Sequence, residues 1–97
     1  MEDKYVFMKP CQVGVMWKKL SADEILVSTP GLQELRVSSM GCDIFERCNG
    51  KNTTAEIIEY LKYKYPQIPG MWIEYETHKF LVYMQAAGIL IMDWDDF

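Results

Sequence analysis

The chain has 97 residues, 49% hydrophobic and 25% charged, which suits one globular domain with a single modest core. Its net charge of −4 runs against a surface built to hold a polyanion, and three cysteines without a paired framework argue against a secreted disulfide scaffold. Met1-Glu2-Asp3-Lys4 has neither the basic start nor the apolar core of a signal peptide, and the apolar run Ala86 to Met92 falls far short of the ~20 residues of a membrane helix. A single soluble, cytoplasmic domain is expected, with residues 1–10 and 93–97 as flexible ends.

Val13, Val15 and Trp17 alternate with Gln12, Gly14, Met16 and Lys18, the period-two mark of a half-buried strand. Ser21-Ala22-Asp23 reads as a turn, and Ile25-Leu26-Val27 as a short strand that stops at Thr29-Pro30-Gly31, where Pro presets its φ and Gly accepts a positive one. Leu35 and Val37 then alternate with Glu34, Arg36 and Ser38. The first third is therefore an antiparallel meander.

At Ser38-Ser39 the period changes. Met40, Ile44, Phe45 and Cys48 fall at helical spacing behind a serine that suits an N-cap, and Asn49-Gly50 ends the helix. Thr53-Thr54-Ala55-Glu56 is a capping box, and Ile57, Ile58, Leu61 and Tyr65 form the buried stripe of a second helix closed by Pro66. Gln67 to Trp72 reads as a loop. A third helix is expected from about Ile73 to Ala87, with Ile73, Thr77, Phe80, Leu81 and Met84 inward and Glu74 and Glu76 in its first turn. Gly88 stops it, and Ile89 to Met92 is a last extended piece. The class is α+β and winged-helix-like: a three-stranded antiparallel sheet followed by three helices.

Chemistry is sparse along this chain. His78 is the single histidine, and it sits beside the polar face of the third helix as a plain surface residue. Cys42 and Cys48, six apart on one helix, point to different faces, and there is no C-x-x-C pair, so no metal site is expected. Cys42 reads as a surface or interface thiol and Cys48 as a small core residue. The glycines fall at element boundaries rather than in a phosphate loop. No residue set supports catalysis, and no cofactor is expected. Tyr60, Tyr63, Tyr75 and Tyr83 lie off the buried stripes, where tyrosine marks a binding surface or sits harmlessly. The acidic tail Asp93-Trp94-Asp95-Asp96-Phe97 either folds back or docks on another protein.

Leu35-Arg36, Gly41-Cys42-Asp43-Ile44-Phe45-Glu46-Arg47-Cys48-Asn49-Gly50, Thr53-Thr54-Ala55-Glu56-Ile57-Ile58-Glu59-Tyr60-Leu61 and Phe80-Leu81-Val82-Tyr83-Met84-Gln85-Ala86-Ala87-Gly88-Ile89-Leu90 resemble, in order and spacing, the PqqD-like domains, also called precursor recognition elements for ribosomally made, modified peptides. Arg36 stands where an asparagine is usual, and Met84 where leucine is common. The resemblance implies a non-catalytic peptide chaperone. It would capture the leader of a precursor peptide by strand addition and present it to a modifying enzyme, often a radical S-adenosylmethionine protein. It places backbone pairing on the third strand, Gln33, Glu34, Leu35, Arg36 and Val37, and the cleft wall on Glu76, Lys79, Phe80 and Tyr83. Lys79 and Arg36 would meet acidic leader residues, and Phe80 and Tyr83 would form an apolar wall. Neither nucleic acid nor membrane is expected as a partner. An open sheet edge also accepts a second copy, so a homodimer stays among the expected assemblies.

Two rival readings follow from the same residues. A winged-helix DNA binder would use Lys62 and Lys64, diluted by Glu56, Glu59, Glu74 and Glu76. A small docking subunit would use its tyrosines, methionines and the Trp94/Phe97 tail.

Overall fold

Alternation in the first third builds two sheets rather than one. The computed structural model describes residues 8–12, 15–28 and 34–93. Its strands are β1 (Lys9–Gln12), β2 (Met16–Ser21), β3 (Glu24–Ser28), β4 (Glu34–Ser38) and β5 (Leu90–Asp93). The meander β2-β3-β4 is antiparallel, with Ile25 opposite Val37 and Val27 opposite both Leu35 and Trp17. Ile25, Val27 and Val37 are buried on its inner face, and Trp17 meets the Phe45 ring edge-on at 5.5 Å.

The single strand expected over Gln12 to Lys18 is interrupted. Gln12 ends β1 and Met16 begins β2, while Val13 lies outside the described residues. β1 pairs with β5, from Lys9 opposite Asp93 to Gln12 opposite Leu90. Residues 8–10 and Asp93, expected as flexible ends, thus belong to the fold. Met8 is buried and its carbonyl accepts the Thr54 N–H at 2.9 Å; the Gly50 N–H donates to the Pro10 carbonyl at 3.0 Å.

Three helices complete the α+β, winged-helix-like layout: α1 (Met40–Glu46), α2 (Thr54–Lys64) and α3 (Gly70–Ala86). The capping box of α2 forms as read. The Glu56 N–H donates to the Thr53 hydroxyl at 3.1 Å, and the Thr53 N–H donates to the Glu56 carboxylate at 2.8 Å. α3 starts at Gly70 behind Pro69, so Gly70, Met71 and Trp72 form its first turn and Glu74 and Glu76 lie beyond it. The physical reason is that Pro69 serves as N-cap, with φ −56 and ψ 137: no N–H is needed from it there, and its carbonyl accepts from Trp72 N–H at 2.9 Å and Ile73 N–H at 3.2 Å. Ile73, Thr77, Leu81 and Met84 are buried, and Phe80 borders that stripe half-buried. Gly88, at φ +79, closes α3: Ile89 N–H reaches the Met84 carbonyl at 2.9 Å and Gly88 N–H the Gln85 carbonyl at 3.0 Å.

Two readings around α1 are corrected. Cys42 is buried at 3% exposure, and its thiol donates to the Val37 carbonyl at 3.2 Å, so it joins α1 to β4. Ser39 occupies the N-cap position, yet its side chain makes no capping bond. One residue has to serve both neighbours: its N–H donates to the Asp23 carbonyl at 2.9 Å and its carbonyl accepts from Cys42 N–H at 3.0 Å. That double duty holds it at φ 56, ψ −130, where a Cβ is unwelcome. Ser39→Gly is expected to stabilise the protein by about 1 kcal/mol, raising Tm by several degrees. A melting curve with no gain would show that the turn carries no strain.

Asp43 is the polar centre of helix packing. It is 8% exposed and accepts Lys64 Nζ at 2.8 Å and the Tyr65 hydroxyl at 2.5 Å, both from the far end of α2. Arg47, 3.9 Å from the same carboxylate, lies over the Tyr60 ring at 3.5 Å. Burial pushes the Tyr65 hydroxyl up to about 12, helped by its bond to Asp43; Cys48 is pushed up to about 12 by burial first and then by Cys11.

Candidate functional site: the groove between β4 and α3

β4 has β3 on one side and no strand on the other among the described residues. The bond from Ser39 N–H to the Asp23 carbonyl, with the unbroken register from Glu24–Ser38 to Ser28–Glu34, fixes which backbone groups face β3. Antiparallel ladders alternate, so Val37 and Leu35 exchange bonds with β3. The N–H and C=O groups of Glu34, Arg36 and Ser38 therefore point outward along a free edge.

That edge runs beside α3. Leu35, Arg36, Val37 and Ser38 form one wall of a hollow of about 330 Å³, and Glu76, Phe80, Tyr83 and Met84 form the other, with Gly41 at the floor. A second hollow of about 260 Å³ continues it past Ser39 and Met40, again bounded by Glu76 and Phe80. Gly41 makes this shape possible. A Cβ there would stand 3.0 Å from Val37 Cγ1 and 3.3 Å from Phe80 Cε1, so any larger residue would push Phe80 off the floor.

The expected site residues divide. Leu35, Arg36, Val37, Glu76, Phe80 and Tyr83 come together in the groove. Glu34 instead borders a hollow on the outer sheet face with Met16, Lys18 and Leu26. Gln33 lies outside the described residues. Lys79 lines neither groove hollow; its Nζ is 3.5 Å from Glu76 and 5.1 Å from the Tyr75 ring centre. Arg36 is held by Glu24 at 3.1 Å. Both cations expected to meet acidic peptide residues thus already have carboxylate partners in their own chain. Both pairs are exposed, where such contacts contribute little.

Gly41, Met84 and the Ser38–Met40 corner were not among the site residues expected from the sequence. Met84 belongs to the buried stripe at 1% exposure and still borders the groove. Gly41, second in α1, fell at an expected element boundary and carried no distinct signal.

The opposite edge of the sheet is different in kind. All of β2 is exposed, but it carries Lys18 and Lys19 and an irregular register between Lys19 and Ser21, devices that discourage a further strand. Lys19 is also tied to Glu46 at 2.8 Å.

Lys62 and Lys64, the candidates for a DNA-binding face, are bonded to Glu74 at 2.9 Å and Asp43 at 2.8 Å. Among the described residues no group of three His, Cys, Asp or Glu is placed to hold a metal ion, and no helix is long and apolar enough to cross a membrane. Trp94 and Phe97 lie outside the described residues. Compared with known proteins, the chain matches no family model, no curated protein and no solved structure.

Proposed function

We propose that this chain is a non-catalytic peptide-binding module that takes up an extended peptide as an added strand on β4 and seats alternate side chains in the groove against α3. The observation that carries the reading is the pairing of a free strand edge with an adjoining cleft of mixed lining. Glu34, Arg36 and Ser38 offer backbone donors and acceptors outward, and Leu35, Val37, Phe80, Tyr83 and Met84 lie alongside. Backbone pairing gives affinity with little sequence demand, and the cleft selects side chains. The contrast with the lysine-guarded β2 edge favours β4 as the receiving side.

The resemblance of the helical motifs to PqqD-like domains favours the leader of a ribosomally made precursor as the peptide. The protein would then act as a chaperone handing that leader to a peptide-modifying enzyme in the cytoplasm. Arg36 and Lys79, each with an acidic partner of its own, are not needed as anchors for leader carboxylates.

The test is a titration of isotope-labelled protein with a precursor leader encoded beside it. Amide shifts are expected at residues 34–38 and along 76–84, with a micromolar Kd, about −8 kcal/mol. A folded protein whose amides do not move would sink the proposal. Shifts with duplex DNA that fade as salt rises would replace it with the nucleic-acid reading.

A further inference from the structure

A further exposed apolar feature lies outside the groove. Met71, Trp72 and Tyr75, at the start of α3, are 78%, 57% and 53% exposed and line a shallow hollow of about 330 Å³. Trp72 meets Tyr75 edge-on at 6.2 Å, so the two rings form one corner. Exposed aromatic and methionine side chains in one patch are the usual material of an interaction surface.

The groove leads toward this patch. Near Leu35 and Val37 its α3 wall includes Tyr83 and Met84; past Ser39 and Met40 that wall is Glu76 and Phe80. Moving along β4 toward its end therefore means moving along α3 toward its start. Trp72 precedes Glu76 by one turn on the same helical flank, about 6 Å further on, while Met71 and Tyr75 follow the adjoining flank that carries Lys79, so Trp72 is the link between groove and patch. From Tyr83 to Trp72 is about 16 Å of helix, which an extended peptide covers in about five residues.

We infer that a peptide paired with β4 extends beyond Ser38 and places an apolar side chain against the Met71–Trp72–Tyr75 corner, which is a further subsite of the same groove. The occupant is the overhang of the bound peptide, N-terminal to its paired residues when the added strand is antiparallel. The chemistry is that of a large aliphatic or aromatic side chain, since the corner presents two rings and a thioether. This inference rests on the peptide-binding reading of β4. It goes beyond that reading by lengthening the recognised segment and assigning a role to residues that touch neither the strand edge nor the cleft.

The test uses a peptide of about ten residues, selected against the full chain from a randomised displayed library; at ~3.3 Å per residue it is long enough to span groove and patch. Its affinity is measured with its overhang and with the overhang removed, for the unaltered chain and for Trp72→Ala and Tyr75→Ala. Both positions are exposed, so both variants should melt as the parent does. Each variant is expected to bind the full peptide about tenfold more weakly and the shortened peptide unchanged. Amide shifts at 70–76 should appear with the full peptide only.

Shifts at 34–38 with no effect of either variant would overturn the subsite and leave the groove standing. No shift at 34–38 with any selected peptide would overturn both. A free protein that sediments as a dimer, and as a monomer after Trp72→Ala, with peptide affinity unmoved, would assign the patch to a second copy and overturn the inference.

Discussion

Arg36→Pro is expected to abolish strand addition, weakening peptide binding by at least about a hundredfold, while leaving the protein folded. The residue sits in the middle of β4, and its N–H points away from β3 toward the free edge. Proline there removes one donor and puts its ring where the incoming strand would lie, but it takes nothing from the β3–β4 ladder. The lost Arg36–Glu24 pair is exposed and contributes at most about 1 kcal/mol. Val37→Pro is the contrasting change. Val37 is buried and its N–H faces β3, so that variant should not fold. Arg36→Ala separates the backbone from the side chain: it keeps the donor and should bind as the parent does. Fluorescence anisotropy with a labelled peptide, beside a melting curve, reads all three. Equal affinity of Arg36→Pro and the parent would place the peptide elsewhere than on β4.

Asp43→Asn should be the most damaging polar substitution, destabilising the fold by about 2–3 kcal/mol. The amide keeps the carboxylate's shape but cannot accept from Lys64 and Tyr65 as an anion, and Arg47 loses its counter-charge. The figure is held below that of a wholly buried pair because Lys64 is 44% exposed and can return to water. Burial of Asp43 works against ionisation. The hydrogen bonds from Lys64 and Tyr65 outweigh it, with the Lys64 and Arg47 charges adding to them, and hold the carboxyl below the usual carboxylate range.

A carboxyl depressed in the folded state contributes stability above its unfolded pKa, about 4, and that stability is lost as pH falls through the folded value. Tyr65 has the opposite sign. Its neutral form is favoured, so its contribution is present below an unfolded value of about 10 and is lost as pH rises toward about 12. Urea midpoints measured across pH should therefore fall for the parent at both extremes. The curve for Asp43→Asn should be flatter on both sides and approach the parent's at low pH. Parallel curves would mean that the Asp43 cluster is not what couples stability to pH.

Much of this fold is local and was legible as such. The capping box at Thr53–Glu56, the Gly88 stop, the run Ile25-Leu26-Val27 and the alternation of Leu35 and Val37 depend on neighbours within one helical turn or one strand. Sequence periodicity reports those directly. The burial of Ile57, Ile58 and Leu61 followed for the same reason.

The boundaries that failed were those where one signal fits two structures. Alternation continues across the break between β1 and β2, since period two does not say which partner a strand will choose. β1 found β5 from the other end of the chain, a pairing no local pattern encodes. Pro69 reads equally as the close of a loop or the opening of a helix, and the packing of α3 decided it. Asp43 carried no signal at all: it became the polar centre only because the end of α2 brought Lys64 and Tyr65 to it.

The site shows the same division. The sequence by itself determined a strand with an apolar inner face at Leu35 and Val37, and a third helix with Phe80 and Tyr83 on the border of its buried stripe. Only the tertiary structure decided which backbone groups of β4 were left unpaired, since that depends on the bond from Ser39 to Asp23. It alone tied Arg36 to Glu24, because a charged side chain goes to whichever opposite charge the fold brings near. It alone made Gly41 the floor of a groove, because space between elements exists only after they have packed.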